Sequence, residues 1–219
     1  MKIVIFFLLP LAFLTGLTVS ARAETDYFPP GVWGDGPWET TAVENDERYE
    51  NWYGKNLAAM NEKRLWDQQA RDKATMSVRL LFLPTFDDPA MLQFSLLVDG
   101  SISYVFKGLD GKGGYEPGKL ARKSKGKADA ESIAEIKLLL NTIDALNGGT
   151  PTQIFNRELV CTDGTQTVLE FAGDGKYNVL GRHECEMKRN DPIRKLIHLL
   201  DKVSGGKVIS PPDTFIDRG

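Results

Sequence analysis

The stretch MSVRLLFLPTFDDPAMLQFSLLVDGSISYVFK, Met76 to Lys107, decides the fold. Met76 to Phe86 is dominated by apolar, strand-compatible residues, and Asp87-Asp88-Pro89 is a turn that hands over to a second strand at Met91 to Val98. Asp99-Gly100 is a tight hairpin signal before a third strand at Ile102 to Lys107. Three consecutive strands joined in this way make an antiparallel meander. The next stretch, Gly108 to Lys127, holds six glycines and the basic cluster Lys119, Arg122, Lys123, Lys125 and Lys127, and reads as a long loop.

Downstream, Asp129 stands as an N-cap before a helix with Ile133, Ile136, Leu140 and Ile143 on one face, stopped by Asn147-Gly148-Gly149. Thr165 to Phe171 and Tyr177 to Cys185 read as two further strands around Gly173-Asp174-Gly175. A three-residue loop there sets Phe171 opposite Tyr177 and Leu169 opposite Val179, with Cys185 facing Asp163. A last helix opens at Asn190-Asp191-Pro192 and lines up Ile193, Leu196, Ile197, Leu200 and Val203. Upstream of the meander, Tyr49, Trp52, Tyr53, Leu57 and Met60 recur at helical spacing, and Leu65 to Lys73 reads as a second helical piece. Strand runs joined by hairpins, with about three helices between and around them, predict an α+β domain built on an antiparallel sheet.

The chain has 219 residues, 42% of them hydrophobic and 26% charged, with a net charge of −3. Mild acidity argues against nucleic acid as a partner, because binding phosphates requires a dominant basic surface. Residues 1–23 carry Lys2, an apolar run from Ile3 to Leu17 broken by Pro10 and Gly16, and the small-x-small sequence Ala21-Arg22-Ala23. This is the pattern of a signal peptide rather than a membrane span, and it predicts a periplasmic or secreted chain beginning at Glu24 with no transmembrane segment. The expected organisation is signal peptide 1–23, acidic aromatic-rich arm 24–47, single domain 48–206 and loose tail 207–219. An exported chain with two cysteines predicts a Cys161–Cys185 disulfide. His183 and His198 add no close ligand pair to them, so no metal is expected.

Four segments, LAAMNEKRLW (Leu57 to Trp66), VRLLFLPTFDDP (Val78 to Pro89), GKGGYEPGKL (Gly111 to Leu120) and DGTQTVLEFAGDGKYNVLGR (Asp163 to Arg182), together resemble a family of uncharacterised bacterial proteins. The resemblance spans Trp52 to Gly206 and implies one common fold but no activity, substrate or cofactor. The sequence departs from that pattern at Thr167, where the family carries an aromatic, and at Asn178, where it carries a histidine.

No GxSxG elbow, HExxH helix or Walker-type loop is present. Asp110-Gly111-Lys112-Gly113-Gly114 lacks the oxygen ligands of a calcium loop, and no cofactor is expected. Two function classes remain. The first is a non-enzymatic exported binding protein, of the inhibitor or immunity type, with a protein or an anionic envelope component as partner. Its contact residues would be Trp33 and Trp38 of the arm or Lys119, Arg122, Lys123 and Lys125 of the basic loop. The arm supports this with four aromatics, Tyr27, Phe28, Trp33 and Trp38, and with eight carboxylates from Glu24 to Glu50 against Arg48 alone. The alternative is an envelope glycan hydrolase that uses paired carboxylates, with Glu62 and Glu170 as catalytic candidates. For Glu170 the bland reading is an ion pair with Arg182, expected on the same face of the late hairpin.

Overall fold

The computed structural model describes residues 26–35, 41–67, 74–113, 116–147, 163–173, 175–187 and 190–206. Residues 1–25, which include the expected signal peptide, and Trp38, Cys161 and the tail from 207 onward lie outside the described residues. The chain forms an α+β fold around one six-stranded antiparallel sheet. Its strands are β1 (Ala74–Pro84), β2 (Ala90–Leu97), β3 (Ile102–Leu109), β4 (Leu120–Lys127), β5 (Thr165–Gly173) and β6 (Lys176–His183), in the spatial order β4-β3-β2-β1-β5-β6.

β1 lies at the centre, paired with β2 on one side and β5 on the other. Its run from Ser77 to Leu83 is buried without a break, because both faces of the sheet are covered. Val78, Leu80 and Phe82 point to one face, where they pack with Leu92, Phe94 and Phe106 under helices α3 (Ala130–Asn147) and α4 (Pro192–Val203). The alternate residues Leu81 and Leu83 point to the other face. There they meet Met91, Val168 and Val179 beneath Tyr49, Tyr53, Leu57 and Met60 of the N-terminal helix.

That helix begins at α1 (Ala42–Tyr49), passes through a π-helical turn at Glu50–Gly54 and ends as α2 (Lys55–Ala59). Thr41 caps it reciprocally: its hydroxyl accepts from Glu44 N at 3.3 Å, while the Glu44 carboxylate accepts from Thr41 N at 2.8 Å. The last residues assigned to an extended arm are therefore helical. Asn61, in the left-handed region at φ 53°, ends the helix. Leu65 and Trp66 form a bend, so the expected second helical piece does not start there. The α4 start follows the expected pattern, with Asp191 accepting from Ile193 N at 2.8 Å and Pro192 in the first turn.

Two expectations are corrected. The basic stretch is a strand: β4 pairs with β3 along Ser103↔Lys127 to Gly108↔Arg122. It lacks an apolar pattern because it is an edge strand, where lysines replace core residues and oppose edge-to-edge pairing between molecules. The late hairpin has a two-residue loop, with Gly173 paired to Lys176 and Leu169 to Leu180. A one-residue slip reverses the facing of every side chain in β6. Tyr177 therefore joins Glu170 on the face of the N-terminal helix, and Arg182, opposite Thr167, goes to the other.

Candidate functional site

Three polar features stand out: a buried ion network and a row of exposed lysines on the sheet face that carries the N-terminal helix, and a cavity between that helix and the arm.

The network starts from Arg79 on β1 and Glu170 on β5, which are direct cross-strand partners and are 0% and 1% exposed. The guanidinium donates to both carboxylate oxygens, from Nε to Oε2 at 2.5 Å and from Nη2 to Oε1 at 2.7 Å, a bidentate fork. Its Nη1 donates to Lys63 O at 2.8 Å and lies 3.5 Å from Glu62 Oε2. The other Glu62 oxygen is ion-paired with Lys107 Nζ, which also donates to Met60 O at 2.7 Å. Tyr177 completes the group by donating to Glu170 Oε1 at 2.8 Å. Burial and the adjacent Glu170 carboxylate push the Tyr177 phenol well above its usual value. Burial works against the charge on Arg79, but Glu170 and Glu62 outweigh it and hold the guanidinium protonated more firmly than usual.

This geometry decides how Glu62 and Glu170 are read. The fold does bring them together, but around Arg79 and Lys107, with two cations matching two carboxylates. Their oxygens are occupied by these partners and by Tyr177. The network ties the segment after α2 to strands β1, β3 and β5, a structural task. The expected partner of Glu170 is corrected as well: it is Arg79, since the slipped register takes Arg182 to the opposite face, where its Nη1 donates to Gly181 O.

On β4, Lys123, Lys125 and Lys127 occupy alternate positions and so share one face. All three are exposed, and no ion-pair partner is found for them among the described residues. Their cross-strand neighbours are the partly buried Ser103 and Val105, opposite Lys127 and Lys125, and the buried Lys107, opposite Lys123. Arg122 belongs to the other face, where it lies 5.9 Å from the Phe106 ring and 3.3 Å from Asp88. Lys119 precedes the strand, its backbone N donating to Asp110 at 2.6 Å. The basic cluster seen in the sequence is thus divided, and Lys127 joins Lys123 and Lys125.

Among the described arm residues, Phe28 and Trp33 are buried rather than turned outward. Trp33 is 4% exposed, edge-on to Phe28 at 5.0 Å and packed on Tyr49 at 4.6 Å. It is a core residue, because a chain of carboxylate-to-backbone hydrogen bonds holds segment 26–35 against the N-terminal helix. Glu50 accepts from Tyr27 N at 2.9 Å and from Phe28 N at 3.4 Å, Asp46 accepts from Gly31 N at 2.5 Å, and Asn45 donates to Gly34 O at 2.8 Å. Gly54, in the π-helical turn, leaves space for the Glu50 carboxylate, since a methyl group there would collide with it. Burial pushes the Glu50 carboxyl up to about 7, with Asp26 and Glu170 adding repulsion and the two backbone N–H groups opposing. Between segment and helix lies a cavity of about 390 Å³, lined in part by Asp26, Phe28, Trp33, Asp46, Glu47 and Glu50.

His183 caps the short 3-10 turn Glu184–Glu186 by accepting from Cys185 N at 3.3 Å, and burial lowers its pKa. Cys185 lies in this turn, whereas Cys161 lies outside the described residues, so the Cys161–Cys185 bridge is carried forward as a proposal. Among the described residues no group of His, Cys, Asp and Glu side chains is arranged to hold a metal ion, and no helix is long and apolar enough to cross a membrane.

Sequence reasoning missed Arg79, Lys107 and Glu50. The signal for Arg79 was present, since a lone charge inside the run Val78 to Leu83 requires a buried counter-charge. In comparisons with known proteins, no family and no curated protein matches the chain.

Proposed function

We propose that this chain is an exported binding protein that holds an anionic partner on the lysine-bearing face of β4. The observation that carries this reading is the row Lys123, Lys125 and Lys127: three exposed ammonium groups on one side of an edge strand, without ion-pair partners among the described residues. Alternate residues of a strand lie about 7 Å apart. The row therefore offers positive charges at a regular spacing suited to an extended envelope polymer with repeated negative groups. Export rests on the leader pattern of residues 1–23. The hydrolase alternative loses support because Glu62 and Glu170 are neutralised within the buried network.

The test is a crosslinked capture from the native envelope with the tagged mature chain, run beside a Lys123→Gln, Lys125→Gln, Lys127→Gln variant. Salt-sensitive capture of anionic material by the parent and its loss in the variant is the expected result. Equal capture by both removes β4 as the contact surface.

A further inference from the structure

The lysine row of β4 is the outer border of a wider strip on the same sheet face. Cross-strand pairing fixes its members: Lys127 stands opposite Ser103 and Ser103 opposite Ser95, while Lys125 stands opposite Val105 and Val105 opposite Gln93. Directly opposed residues share a face, so two hydroxyls, an amide and one apolar side chain lie inward of two ammonium groups. The N-terminal helix packs over Leu81, Leu83 and Met91 of this face, but Gln93, Ser95, Ser103 and Val105 stay partly exposed.

The members of the strip are not equally engaged. Ser95 Oγ lies 3.2 Å from the Oγ of the buried Ser77. Among the described residues, the side chains of Gln93 and Ser103 make no hydrogen bond within the protein, so both are open to a ligand. In the next row Lys123 stands opposite Lys107, whose charge is matched by Glu62, which leaves the excess positive charge of this face on β4. Asp99, at the tip of the β2–β3 hairpin, marks the end of the strip: hydrogen bonds from Ser101 and, more weakly, the Lys127 charge lower its pKa.

A polymer that carries charge alone, such as polyphosphate, engages only the lysines of this strip. A neutral glycan engages Gln93 and Ser103 and leaves the lysines unmatched. A chain of acidic sugars suits both columns, since it carries carboxylates, hydroxyls and an apolar C–H surface on each repeating ring. Such a ring is broad enough to bridge neighbouring strands, which lie about 4.8 Å apart. Taking β4 as the contact surface, on which this inference rests, we infer that the anionic partner is an acidic polysaccharide lying along β4. Its carboxylates meet Lys123, Lys125 and Lys127, its rings lie over Val105, and its hydroxyls meet Gln93 and Ser103.

The probes are an oligogalacturonate and a polyphosphate of matched charge, titrated calorimetrically into the mature chain over a series of salt concentrations. Salt should weaken both. Extrapolated to about 1 M salt, where the counterion contribution vanishes, affinity for the oligogalacturonate should remain and affinity for polyphosphate should not. A Gln93→Ala, Ser103→Ala variant should bind the oligogalacturonate about tenfold more weakly, the net worth of one to two neutral hydrogen bonds, with an unchanged salt slope. Its polyphosphate binding should equal that of the parent, which also shows that the variant is folded. Oligogalacturonate binding unchanged in this variant, or weakened equally for both probes, would overturn the inference. Polyphosphate binding without oligogalacturonate binding would overturn the sugar assignment and leave β4 as the contact surface. Binding of neither probe, or binding of both unchanged in the Lys123→Gln, Lys125→Gln, Lys127→Gln variant, would remove β4 itself and the inference with it.

Discussion

At the scale of single residues, Arg79 is the most consequential side chain. It contributes three hydrogen bonds and brings charge into a strand that is otherwise apolar on both faces. Removing one partner of a buried pair leaves the other uncompensated, so Arg79→Met should cost about 3 to 5 kcal/mol in chemical denaturation. Combining Arg79→Met with Glu170→Leu should recover part of that loss, because an apolar pair of similar volume has no stranded charge. A double variant less stable than the sum of both singles would show that the pair is not the unit holding these strands. Glu50 makes a second prediction, on pH. Its carboxyl sits near 7 in the folded chain against an ordinary value of 4.5, so the folded state holds the proton more tightly. Its contribution to stability is present below about pH 4.5 and is lost as pH rises through about 7. Asp26, Glu170 and Tyr27 are the neighbouring groups coupled to it. The thermal midpoint of the parent should therefore drop between pH 5 and 8 relative to Glu50→Gln. Parallel profiles would show that burial of Glu50 does not govern this window.

At the scale of elements, the readable parts were those with local signals. α3 and α4 announced themselves through apolar periodicity and their Asp129 and Asp191 starts, and the meander through the Asp87-Asp88-Pro89 and Asp99-Gly100 turns. β4 was not legible because edge position, which removes the need for an apolar face, is a property of the assembled sheet. The register of β5 and β6 was misread because Gly173-Asp174-Gly175 suits either a two- or a three-residue loop. The choice is made by where Leu169, Glu170 and Tyr177 must point once β1 is beside them. Gly175, at φ 74° with open space around its α-carbon, fits the two-residue turn. Gly175→Ala should cost about 1 kcal/mol through backbone strain alone. A neutral or stabilising Gly175→Ala, measured by denaturant midpoint, would speak against the left-handed turn and the register that depends on it.

At the scale of the whole molecule, the chain covers an antiparallel sheet on both faces with unlike layers. One is the helix pair α3 and α4. The other is a short N-terminal helix clasped by an aromatic segment through carboxylates. The candidate site was only partly legible for this reason: Lys123 and Lys125 were visible as a basic run, but their shared face, and the departure of Arg122 from it, required the β3 pairing. Trp33 read as a contact residue because aromatic content alone does not distinguish an exposed platform from a core anchor. The proposed Cys161–Cys185 bridge should add about 3 kcal/mol by closing a loop of about 25 residues. Alkylation followed by intact-mass measurement should label neither cysteine before reduction and both after; labelling before reduction would remove the bridge.

The most direct test of the β4 contact surface is the salt dependence of polyphosphate binding by the mature chain and by its Lys123→Gln, Lys125→Gln, Lys127→Gln variant. Binding by the parent should weaken steeply as salt rises. The variant should bind more weakly, with a slope of log affinity against log salt shallower by about two to three, one unit for each lost phosphate contact. Equal affinities and equal slopes for the two proteins would contradict the assignment of β4 as the surface that meets an anionic partner.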